Sequence, residues 1–132
     1  MKSKKFTSNF RIYYEDTDAG GVVYYANYLK FAERARTEIL RESGINQSEL
    51  TKNSGIFLVV RDFSGNLKKS ARLDDMIKIE SEVSEMGGAS FSMHQRIFRE
   101  AAILAEINVT IVCVDAGMKP ARLPDAVKKA LS

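Results

Sequence analysis

Two hydrophobic periods run along this chain, and the switches between them mark its elements. Residues 6–14 look extended, with Phe10, Ile12 and Tyr14 alternating with Asn9, Arg11 and Tyr13. From about Asn27 to Ser43 the period lengthens to that of a helix. Tyr28, Phe31, Ala32, Ala35, Ile39 and Leu40 fall on one face; Lys30, Glu33, Arg34, Arg36, Glu38 and Arg41 fall on the other. The spacings Glu33 to Arg36 and Arg34 to Glu38 offer modest side-chain support, and Gly44 is a natural stop. Ser48 to Asn53 suits one short helical turn.

After Gly55 the period returns to two, giving strands at 56–68, 76–86, 89–99 and 103–115. Ile77, Ile79, Ser81 and Val83 oppose Lys78, Glu80, Glu82 and Ser84. Ala105, Ile107, Val109, Ile111 and Cys113 oppose Glu106, Asn108 and Thr110, while Val112 and Val114 make that second face partly apolar. Gly87-Gly88 separates two of these runs as a hairpin turn. Lys119 to Pro124 reads as a turn and Leu123 to Leu131 as a closing helix.

One strand, one long helix and a run of strands joined by short turns is an α+β order. Few connections are long enough for parallel crossovers, so the sheet is expected to be antiparallel with the helix across one face. The other face and a sheet edge are then left partly uncovered, which predicts a homo-oligomer. At 132 residues the chain is expected to form one domain over residues 1–132.

Composition narrows the function classes. The net charge is +3, with Lys2, Lys4 and Lys5 supplying much of the excess from an end expected to fray. The other bases are interleaved with acids, so no nucleic-acid footprint is visible. No apolar stretch reaches the ~18 residues of a membrane span, and the basic start lacks the apolar run of a signal peptide. The expected location is the cytoplasm. A single cysteine, Cys113, sits in an apolar strand and reads as a core thiol. His94, the only histidine, reads as a surface or hydrogen-bonded residue. Lys68, Lys69 and Arg72 suit either phosphate binding or a solvated edge.

The candidate chemistry lies where the first strand meets the helix, in Tyr13-Tyr14-Glu15-Asp16-Thr17-Asp18-Ala19-Gly20-Gly21-Val22-Val23-Tyr24-Tyr25-Ala26-Asn27-Tyr28. An acidic turn there precedes a helix N-terminus, where N–H groups are free and the dipole is positive. A carboxylate beside free donors suits acyl transfer: the first attacks or activates water, and the second holds an oxyanion. Asp16 is expected to hold the turn. Gly20 and Gly21 are expected to supply positive φ or a close backbone approach. Calcium does not fit, because a loop begun at Asp16 has Asn27 in place of the bidentate Glu and no oxygen ligand at Gly20.

These residues resemble the hot-dog-fold acyl-CoA thioesterases of the 4-hydroxybenzoyl-CoA thioesterase family, and most closely the YbgC-like branch encoded with the Tol–Pal envelope system. The likeness continues in Phe31-Ala32-Glu33-Arg34-Ala35-Arg36-Thr37-Glu38, Ala71-Arg72-Leu73-Asp74-Asp75, Val112-Cys113-Val114-Asp115 and Met118-Lys119-Pro120 with Leu123-Pro124. It implies a curled antiparallel sheet wrapped around the long helix, paired into dimers and often tetramers. It also implies hydrolysis of an acyl-CoA thioester without metal or organic cofactor. Asp18 would carry the chemistry as nucleophile or general base, the Tyr25 backbone N–H would polarise the thioester carbonyl, and Gly20, Gly21 and Tyr24 would contact substrate.

The chain departs from that pattern twice. YbgC-like enzymes usually carry histidine where Tyr25 stands, which removes an imidazole and leaves the backbone donor. The hairpin Gly87-Gly88-Ala89 lacks the bases that some relatives place there, so coenzyme A phosphates need other partners. No histidine occurs from Ala19 to Tyr28, which argues against a hot-dog dehydratase. The alternatives to hydrolysis are capture of acyl groups or acyl carrier protein with little turnover, or a scaffolding role indifferent to Asp18.

Overall fold

Six residues on one stripe of the long helix decide how the molecule is layered. In the computed structural model, which describes residues 4–132, helix α1 (Asn27–Glu42) buries Tyr28, Phe31, Ala32, Ala35, Ile39 and Leu40, the stripe read from the sequence. Small Ala32 and Ala35 let the helix lie close to the sheet beneath. Its end closes by a Schellman arrangement: the Gly44 N–H donates to the Arg41 carbonyl and the Ile45 N–H to that of Leu40. Gly44 adopts a φ of 83° there, which a side chain would resist.

The sheet consists of β1 (Lys5–Arg11), β2 (Phe57–Leu67), β3 (Met76–Met86), β4 (Ser90–Arg99) and β5 (Ala102–Val114), in the order β1-β3-β4-β5-β2. Every neighbouring pair is antiparallel, so the expected α+β arrangement holds. Ile77, Ile79, Ile97, Ala105 and Ile107 meet the first half of α1. Phe91, Met93, Val109, Ile111 and Cys113 meet its second half together with α3 (Asp125–Leu131). Two polar residues, Gln95 and Ser81, are buried in this core. Gln95 is fully buried; its amide donates to the Ala32 carbonyl at 2.9 Å and to Ser81 Oγ at 3.0 Å, and its oxygen accepts from Arg36 Nη1 at 2.9 Å.

Several local expectations change. The extended run stops at Arg11. Ile12 still points inward, but Tyr14 lies in a single 3-10 turn (Tyr14–Asp16) and is 82% exposed, because Asp16 pulls the chain into that turn. Lys5 opens β1 instead of fraying, and the Lys4 ammonium lies 5.1 Å from the Phe6 ring centroid; Lys2 is outside the described residues. Among the described residues neither Glu33–Arg36 nor Arg34–Glu38 closes to an ion pair: Arg36 turns inward to Gln95 and Arg34 lies over the Phe31 ring at 5.6 Å. The short turn after Gly44 is a longer helix, α2 (Gln47–Ser54), because the Asn46 side chain caps the N–H groups of Ser48 and Glu49.

The outer sheet face is polar and paired. Lys68 meets Glu106 at 3.0 Å, Arg96 meets Glu82 at 3.4 Å, and His94 Nδ1 lies 2.7 Å from Asn108 Oδ1. Cys113 is buried, and that burial pushes its thiol up. Among the described residues, no helix is long and apolar enough to cross a membrane.

Candidate active site

The turn after β1 separates its two aspartates by their hydrogen bonds. The Asp16 carboxylate is buried and accepts the Tyr13 N–H at 2.8 Å. Its carbonyl accepts the Tyr24 N–H at 3.0 Å and Asn27 Nδ2 at 2.9 Å, tying the turn to the start of α1. Asp16 therefore holds the turn. Asp18 faces solvent instead. Its Oδ1 accepts the Gly20 N–H at 2.8 Å, and among the described residues no donor reaches its other oxygen.

Both glycines are explained by this loop. The chain doubles back between Asp18 and Val22, whose backbones pair through Asp18 N–H to the Val22 carbonyl at 2.9 Å. Gly21 completes the reversal at φ 78°, and its N–H donates to the Asp18 carbonyl. A Cβ on Gly20 would sit 3.2 Å from Asp18 Oδ1, tight against the carboxylate.

The helix start beside this loop is uncapped. Among the described residues no side chain caps α1 at Ala26, and no acid occupies its first turn. The N–H groups of Tyr24, Asn27, Tyr28 and Leu29 find carbonyl acceptors, while those of Tyr25 and Ala26 find none among the described residues. A cavity of about 250 Å³ brings Asp18 and Tyr25 together with Val22, Val23, Tyr28 and the 68–70 segment. The Tyr28 hydroxyl fixes that segment by accepting the Ala71 N–H at 3.0 Å, and the Val23 N–H donates to the Ala71 carbonyl at 2.8 Å. Tyr24 does not line this cavity. Its ring packs on Tyr25 with centroids 4.9 Å apart, and the neighbouring Tyr25 hydroxyl raises its phenol pKa.

A groove continues from Asp18 between α1 and β2. Next to the first cavity, and sharing Tyr25, Tyr28 and Leu67 with it, is one of about 220 Å³ walled by Leu29, Phe63, Gly65 and Ile107. Sequence reading gave these β2 residues no part in the site, because nothing local shows which strand lies beside the helix. On the other side of Asp18 a polar hollow is lined by Tyr14, Thr17, Ala19, Gly21 and Leu73. Among the described residues, no three His, Cys, Asp or Glu side chains gather where a metal could sit.

Residues 13–131 match the model of the thioesterase-like superfamily. The chain belongs to that superfamily, in its YbgC-like branch. The chain is 44% identical to the acyl-CoA thioesterase YbgC of Haemophilus influenzae over 98% of its own length and 96% of that protein's. It is 46% identical to the acyl-CoA thioester hydrolase YbgC of Escherichia coli, with 96% of each chain covered. Among solved structures, a probable thioesterase from Bartonella henselae superposes with a TM-score of 0.83 at 38% identity, covering 93% of this chain and all of that one. The architecture of this YbgC-like chain is accordingly the hot-dog fold.

Proposed function

We propose that this YbgC-like chain hydrolyses an acyl-CoA thioester to a free acid and coenzyme A, with no metal or organic cofactor. The observation that carries the reading is one cavity lined both by Asp18, whose second carboxylate oxygen has no donor among the described residues, and by Tyr25, whose N–H just before α1 has no acceptor among them. The Tyr25 N–H, with the dipole of α1 behind it, receives the thioester oxygen as negative charge develops there. Asp18 then acts in one of two ways. As nucleophile, its free oxygen attacks the carbonyl carbon, the thiolate leaves, and water cleaves the mixed anhydride. As base, it takes a proton from the water that attacks. The acyl group points into the apolar cavity of Leu29, Phe63, Gly65 and Ile107. Gly21 lines the hollow on the far side of Asp18, and Gly20 binds the Asp18 carboxylate through its N–H.

Thiol release from short, long and aromatic acyl-CoAs tests this by comparing wild type with Asp18→Asn. We expect the variant to keep its unfolding midpoint and lose at least ~10²-fold in turnover, on the scale of a removed catalytic group. Undiminished turnover would remove Asp18 from the mechanism. Stoichiometric acyl-CoA or acyl carrier protein binding by wild type without turnover would favour capture over hydrolysis. A single turnover in ¹⁸O water identifies the nucleophilic route when water opens the anhydride at the aspartyl carbonyl, because only that step leaves label in the Asp18 carboxylate.

A further inference from the structure

The cavity that holds Asp18 has one wall with no part in the chemistry above: Lys68, Lys69 and Ser70, which follow the end of β2. This wall is built rather than loose. The N–H groups of Lys68 and Lys69 both donate to the Leu104 carbonyl, at 2.7 and 3.1 Å. Arg99 Nη1 donates to the Ser70 carbonyl at 3.0 Å, and the next residue is fixed by Tyr28. The two lysines differ in what they are free to do. Lys68 is neutralised by Glu106 at 3.0 Å, whereas no carboxylate lies within ion-pair reach of Lys69 among the described residues. The Ser70 hydroxyl is likewise unpaired there.

A thioester lodged at Asp18 has two arms of opposite character. One is the acyl group; the other is a pantetheine chain ending in phosphate. The cavity walled by Phe63, Gly65, Leu67 and Ile107 has no charged residue among its described lining residues, while the neighbouring one is lined by Lys69 and Ser70. Burying phosphate in the first would leave the anion unpaired, so the arms sort by desolvation cost.

We infer that Lys69, assisted by the Ser70 hydroxyl, is the phosphate contact for the thiol-side arm of the substrate, so that pantetheine leaves the site across the end of β2. The inference rests on the thioesterase reading. It also supplies the phosphate partner that the Gly87-Gly88-Ala89 hairpin lacks. Phosphopantetheine is shared by coenzyme A and a carrier protein, and the test separates them.

Steady-state kinetics would compare wild type, Lys69→Ala and Lys69→Arg on one acyl group carried by coenzyme A, by phosphopantetheine and by N-acetylcysteamine, which has no phosphate. Lys69→Ala is expected to raise KM for the phosphorylated carriers about two- to fivefold, the size of one exposed ion pair. Its kcat should hold, its N-acetylcysteamine kinetics should match wild type, and Lys69→Arg should restore most of the loss. A KM rise with both phosphorylated carriers supports the phosphopantetheine phosphate as the contact. A rise with coenzyme A alone supports the nucleotide's phosphates. Equal losses on N-acetylcysteamine, or no change on any carrier, would overturn the inference. Calorimetric binding of free coenzyme A to wild type and Lys69→Ala gives a readout without turnover. If wild type hydrolyses nothing yet binds coenzyme A more tightly than the variant does, the hydrolytic reading fails and the Lys69 contact stands.

Discussion

Gln95 makes the strictest demand of any single residue. Its alternation with Phe91, Met93 and Ile97 puts a polar side chain on an inward face of β4 that is otherwise apolar. Substituting it with Leu leaves the Ser81 hydroxyl and the Arg36 guanidinium each without a partner. Burial already lowers the Arg36 pKa, against the raising influence of Glu33. Gln95→Leu should therefore cost about 2–4 kcal/mol in urea unfolding, and a loss under about 0.5 kcal/mol would show the network to be dispensable. Asp75 gives a second prediction, in pH. Desolvation raises its pKa, but the Arg72 N–H bond, the Arg99 hydrogen bond at 2.8 Å and both guanidinium charges together hold it below the ordinary carboxylate value. A depressed folded value means that its stabilisation is complete above the unfolded pKa of about 3.9 and fades as pH falls through the folded one. Asp75→Asn should cost about 1 kcal/mol at pH 7, with the gap to wild type closing below about pH 4. A gap independent of pH down to acid unfolding would contradict this account.

Among the elements, α1 was the most legible and β2 the least, for physical reasons. The α1 stripe is set by one period over a long segment, so six apolar residues identified their own buried face. Strand β2 carries a bulge at Arg61, between the Val60 and Asp62 pairings with β5. Before the bulge Leu58 and Val60 face the helix side; after it Phe63, Gly65 and Leu67 do, opposite Val109, Ile107 and Ala105. An extra residue changes the phase of the alternation, and sequence pattern alone cannot assign a face across it. In the same way, the Asp16–Asp18 spacing put two carboxylates on one turn, but only their hydrogen bonds assign one to structure and leave the other free. Gly65 tests the geometry of β2. A Cβ there would collide with the Glu106 carbonyl oxygen, against the backbone of β5, whereas one on Gly88 meets nothing within 4 Å. Gly65→Ala should destabilise by about 2 kcal/mol or more, and Gly88→Ala by under about 0.5 kcal/mol. Equal unfolding midpoints for the two variants would mean that β2 does not approach β5 in this way.

At the scale of the whole molecule, the β2 edge of the sheet carries the last consequence. Strand β2 runs for 11 residues with β5 on one side and, among the described residues, no strand on the other. Long edges are ordinarily blunted by charge or proline, yet β2 has no proline and its charges are confined to Arg61 and Asp62. It exposes apolar surface instead: Val60 is 48% exposed, Phe63 63% and Leu67 54%, all on the face that also walls the groove beside α1. Covering these side chains removes apolar area at about 25 cal/mol per Å² and satisfies the free backbone edge together, and a second copy of the same edge is self-complementary by two-fold symmetry. Wild type should therefore be a dimer or larger by light scattering, whereas Phe63→Asp, which would desolvate a carboxylate at that contact, should run as monomer at tens of micromolar. Because Phe63 also borders the acyl cavity, lost activity alone would not identify the cause. Diluting wild type provides the separation: specific activity should fall along the same concentration curve as the oligomer fraction. A monomeric wild type at high concentration, or specific activity flat through its dissociation, would show that the exposed β2 face serves the acyl group alone.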